Sequence, residues 1–213
     1  MICDSQNERH ETLVRIDNTI PTLIADAEEL CGERMYDFTF RETLFAIDAR
    51  AEGVEVDDEN QQPFLRFYPD NEVRIFITSK AQDDLAGAFA ESAHEVIHSI
   101  SPLPSDLVQG KMSTVLEEGL ATFFQAEILK HASKGQSGLN PALWEYIEAL
   151  KRVDQLLHLK VDAIIELRKK QPIIALITEE DILEVIPDLP LDVARDLVKP
   201  LSQLKAELSS HYD

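Results

Sequence analysis

The chain has 213 residues, 44% hydrophobic and 28% charged, a composition that suits one globular domain and excludes a disordered or low-complexity chain. With 40 acidic against 20 basic residues the formal net charge is -20, and such a surface repels phosphate backbones and anionic lipids. Nucleic acid and membranes are therefore not expected as partners. The acidity itself has two readings, plain solubility or attraction of a basic partner or substrate.

The first 30 residues carry Leu13, Ile16, Ile20, Leu23, Ile24 and Leu30 at helical spacing, with Pro21 placed to break the helix or start a second one. A further helix is expected from about Arg41 to Ala51, then a surface loop through Gly53 and the acidic run Glu55 to Asn60. FLRFY (Phe64 to Tyr68), PDNE (Pro69 to Glu72) and VRIFIT (Val73 to Thr78) read as a β-hairpin, because β-branched and aromatic arms flank a turn-forming centre. Asp83 or Asp84 caps a helix through LAGAFAESAHEVIHSI that stops before Pro102. A second helix starts at Ser113 or Thr114 and runs through VLEEGLATFFQAEILKH.

A polar loop follows from Ala132 to Pro141, with Asn140 and Pro141 as a helix start. Helix then runs to about Lys170, with an interruption near Leu159. LRKK (Leu167 to Lys170) reads as a solvated helix end whose positive charge suits the helix dipole. Thr178 and Asp181 have the spacing of a capping box, and Asp192 caps a last helix that Pro200 breaks or kinks.

Cys3 and Cys31 belong to no CxxC pair, so free thiols in a reducing compartment are expected. MICDSQNERHETL lacks the apolar core of a secretory signal, and no run approaches the roughly 18 apolar residues of a membrane span. The expected location is cytoplasmic.

Chemistry concentrates in His94-Glu95-Val96-Ile97-His98, an HExxH sequence on an expected helix. Residues four apart share a helix face, so both imidazoles reach one metal ion, while Glu95 stands beside it and can take a proton from metal-bound water. A catalytic zinc wants three protein ligands. Glu117 and Glu118 follow about 20 residues later, but their carboxylates project about 100° apart and cannot both face one metal. Thr114 and Glu117 have capping-box spacing, which gives Glu117 a structural occupation and leaves Glu118 free to ligate.

HEVIH followed by EEGLATFF resembles the gluzincin zinc metallopeptidases over about 60 residues, from Val73 to roughly His131. The resemblance implies a zincin-like α+β fold dominated by helix, with a small antiparallel hairpin packed on the HExxH helix and on a second, glutamate-bearing helix. It implies Zn2+ held by His94, His98 and Glu118, with Glu95 as general base in peptide hydrolysis. It also implies that Val73 to Thr78 is an edge strand that pairs with an extended peptide or protein substrate.

The chain departs from several relatives of that pattern. Pro104 stands where metzincins need a third histidine, and Thr122 stands where thermolysin-like members carry an outer acid. Glu91, one turn before His94, is a candidate substitute for that acid. No GxMEN-type sequence is present, which argues against an aminopeptidase. The oxyanion-stabilising candidates are Tyr146, His158 and His131.

The expected organisation is a single domain with N-terminal helices and an edge hairpin over 1–82, a metal-binding helix pair over 83–131, and a helical C-terminal part over 139–213. The functional expectation is a zinc metallopeptidase. The alternative is a non-catalytic interaction or regulatory protein on the same fold, which would have no need of Glu95.

Overall fold

Ile16, Ile20, Leu23, Ile24, Ala27 and Cys31 recur at intervals of three and four, and all are buried along one face of a single helix, α1 (Ile2–Cys31). The computed structural model describes residues 2–46, 62–103, 113–132 and 144–210, with the side chains of 2–9, 82 and 131–132 excepted. The expected loops around Gly53 and after Ala132, and the helix start at Asn140 and Pro141, lie outside these residues.

Pro21 does not break α1, contrary to expectation. It sits on the exposed face, so the apolar stripe passes it without interruption. The helix ends at Gly32, whose φ of 84° is the left-handed geometry that glycine adopts without steric cost.

Among the described residues the remaining strands and α-helices are β1 (Thr39–Phe45), β2 (Phe64–Phe67), β3 (Glu72–Ile77), α2 (Leu85–Ile100), α3 (Val115–Ala132), α4 (Trp144–Leu159), α5 (Ala163–Lys170), α6 (Glu179–Val185), α7 (Leu191–Leu197) and α8 (Leu201–Ser209). The fold is α+β and dominated by helix, with one small mixed sheet. No described helix is long and apolar enough to cross a membrane.

The expected hairpin forms. Tyr68 N donates to Glu72 O at 2.8 Å, and Asn71 closes the turn at φ 58°, a region asparagine tolerates. Two expectations about the sheet need correction. Thr39 to Phe45 is a strand, not the start of a helix; its aromatic and β-branched residues pair in parallel with β3, and Thr43 N donates to Asp17 on α1 at 2.7 Å. That pairing gives the order β1-β3-β2, so Val73 to Thr78 is central and the strand flanking it on the hairpin side, β2, is an edge.

α2 packs against both α1 and α3, and α4 packs on α3. The break expected near Leu159 separates α4 from α5, and the capping box at Thr178 and Asp181 forms in full. Asp192 lies within the first turn of α7, which starts after Pro190, and Pro200 immediately precedes α8 rather than kinking a helix.

LRKK is not a solvated helix end throughout, because Arg168 is buried. Its Nη1 donates to Cys31 O and Gly32 O at 2.8 and 2.9 Å, and its Nη2 to Glu33 O at 2.8 Å and Ile100 O at 3.5 Å. Nε donates to Pro172 O at 3.2 Å. Every guanidinium donor thus meets a main-chain carbonyl, and α5 is stapled to the C-terminal ends of α1 and α2.

Candidate metal centre

Asp84 starts α2 by accepting from Gly87 N at 3.0 Å, and the helix then carries His94 and His98 one turn apart with ring centroids separated by 5.0 Å. Thr114 starts α3 in the same manner, accepting from Glu117 N at 3.2 Å. The two helices lie against each other so that Glu118 Oε2 stands 3.3 Å from His94 Nε2 and 3.7 Å from His98 Nε2. One ligand atom from each of the three residues lies within 4.8 Å of the others.

This buried His-His-Glu group could hold a metal ion. Glu118 Oε2 is buried and makes no hydrogen bond of good geometry, and its neighbours are the ring nitrogens of His94 and His98. A cation there would satisfy all three residues, and two nitrogens with one carboxylate oxygen leave a position open for a further ligand.

Charge around the group is uneven. Burial alone would raise the Glu118 carboxyl, but the imidazoles of His94 and His98 outweigh it and hold the group well below the usual carboxylate range. His98 moves the other way: burial opposes its charge, yet Glu117 and Glu118 raise it well above the ordinary value. Glu95 is buried in the same cleft, and burial raises its carboxyl, with the two histidines opposing the rise.

Glu117 does not complete a capping box. Its carboxylate faces His98, with Oε1 3.3 Å from Nδ1, while Thr114 alone caps the helix. Glu91 also lines the cleft, but its hydrogen bonds are to Thr78: one oxygen accepts from the main-chain nitrogen and the other from the hydroxyl, each at 2.7 Å. It ties the end of β3 to α2.

A cleft of about 490 Å³ opens over His94, Glu95, His98 and Glu118. Pro63, Phe64 and Leu65 from the edge-strand side form one wall, and Tyr146 and Ile147 of α4 form another. The Tyr146 ring meets the His94 ring edge-on at 6.1 Å, and burial, with the charges of Glu118, Glu145 and Glu95, raises its hydroxyl above the ordinary value. His158 is exposed and lies twelve residues beyond Tyr146 on the same helix, about 18 Å along its axis, so the structure does not bring it to the cleft. The His131 side chain lies outside the described set.

Compared with protein-family models, with curated proteins and with solved structures, the chain matches none of them.

Proposed function

We propose that the chain is a zinc-dependent metallopeptidase of the gluzincin kind, with a zincin-like fold, in which His94, His98 and Glu118 hold the metal and Glu95 is the general base. The observation that carries this reading is the buried Glu118 oxygen, unpaired between two imidazoles, with a second buried carboxylate, Glu95, in the same cleft.

A zinc ion bound there supplies Lewis acidity, polarising a carbonyl oxygen and lowering the pKa of water. Glu95 accepts a proton from the attacking water and returns it to the departing amide nitrogen. Its raised carboxyl suits both halves of that transfer. Tyr146, at the wall of the cleft, donates its hydroxyl proton in a hydrogen bond to the developing oxyanion. The edge strand β2 borders the cleft, and the main-chain groups on its outer side pair with an extended substrate without regard to sequence.

Elemental analysis of the purified protein beside His94→Ala tests the metal, with about one zinc per chain expected in the first and none in the second. Glu95→Gln is expected to keep the zinc and lose hydrolysis of an unstructured protein such as casein. Metal-free protein after zinc is supplied, or full turnover by Glu95→Gln, overturns the reading.

A further inference from the structure

Glu117 is a buried carboxylate beside the metal group that the proposed chemistry leaves unused. It stands one residue before the ligand Glu118 and projects to a different side of α3. The main-chain nitrogen of Glu117 is held by Thr114 Oγ1, so the helix start does not need its side chain. That side chain is instead turned onto the ring of His98, with Oε1 3.3 Å from Nδ1. Nδ1 is the nitrogen that points away from Glu118, and Nε2 is the one that faces it.

We infer that Glu117 is a positioning residue for the metal: its carboxylate receives the Nδ1 proton of His98, which fixes the tautomer that leaves Nε2 free to ligate and makes that nitrogen a stronger donor. This rests on the metal-site reading above. A neutral imidazole carries one proton, and the nitrogen that keeps it cannot bind a metal. An acceptor beside Nδ1 settles which nitrogen that is. A carboxylate does more than a carbonyl or a hydroxyl oxygen would, because its negative charge pulls on the proton and returns electron density to the ring. The chain therefore places two neighbouring acids of opposite duty on one turn of α3, Glu118 facing the ion and Glu117 behind one of its ligands.

The test is zinc affinity, read by competition with a chromophoric chelator, together with the melting temperature of the metal-stripped protein. Glu117→Gln keeps an acceptor oxygen and loses the charge, and is expected to weaken zinc about tenfold. Glu117→Met loses both and is expected to weaken it about 100-fold. Thr178→Ala, which removes the cap of α6 away from the cleft, is the control: it should lower the metal-free melting temperature and leave zinc affinity unchanged. Affinity in Glu117→Gln and Glu117→Met equal to wild type overturns the role of Glu117 while the site itself stands. Wild-type protein that binds neither zinc nor cobalt overturns the metal site, and this inference with it.

Discussion

Gly119 lies so close to Ala149 that a Cβ on it would sit 2.5 Å from the alanine carbonyl oxygen, with Val153 Cγ2 at 2.8 Å. α3 and α4 therefore cross main chain to main chain at the residue next to Glu118. Ala149 is one turn beyond Tyr146, so the same contact sets the height of the tyrosine over the cleft. Alanine is the better helix former by about 1 kcal/mol, but the nearest atoms in its way, the Ala149 carbonyl oxygen and carbon, are backbone and cannot swing aside. We expect Gly119→Ala to destabilise by about 1–3 kcal/mol in urea unfolding, the cost of an overpacked contact. A gain in stability would mean the helices separate without loss.

Arg168 has five donors and five carbonyl partners, and a lysine offers three donors on a different geometry. Both Arg168→Lys and Arg168→Met are expected to destabilise by roughly 3 kcal/mol, because buried carbonyls lose their hydrogen bonds in each. The midpoint of chemical unfolding should fall with its slope unchanged. Rescue by lysine would show that charge, and not the fork of donors, holds α5 to the ends of α1 and α2.

The His98 and Glu118 pair sets a pH window for the metal-free protein. Glu118 is depressed from 4.5, so it adds stability above about that pH, and the gain is lost as pH falls through its lower folded value. His98 is raised from 6.5, so it adds stability below about that pH, and the gain is lost as pH rises through its higher folded value. Both contributions are complete between those limits. Melting curves of stripped protein should show this contribution largest there; Glu118→Gln should abolish its acid limb and only reduce its alkaline limb, because Glu117 also raises His98. Zinc should move the optimum to higher pH, because ligands must lose protons to bind it.

Tyr146→Phe removes a hydroxyl and leaves the ring against His94. Zinc content should be unchanged and kcat should fall about 100- to 1000-fold, the cost of one oxyanion donor. A rise in KM alone, with kcat retained, would assign the hydroxyl to substrate binding instead.

Much of the helical framework was legible because its signals are local. Asp84, Thr114 and Thr178 each announce a helix start within three residues, and HEVIH carries its own spacing. What was not legible depends on partners distant in the chain. TFRETLF is a strand because β3 lies 33 residues away to receive it and Asp17 holds Thr43 N. Arg168 looked like one charge in a basic helix end until the carbonyls of Cys31 to Glu33, about 136 residues earlier, were folded onto it. Glu117 had a sound local explanation in Thr114, and only the approach of α2 gave its carboxylate a different neighbour.

α3 is pinned at its start from far along the chain: Val115 N donates to Lys199 O at 2.8 Å, and Leu201 N donates to Ser113 O at 2.9 Å. On a ribosome those bonds cannot form until Leu201 has been added and has left the exit tunnel, long after His94, His98 and Glu118 have emerged. The three residues of the candidate metal group are therefore present in the nascent chain well before the start of the helix bearing Glu118 is anchored. A chain halted before Lys199 carries all three of them without the clasp that fixes the start of the helix bearing Glu118.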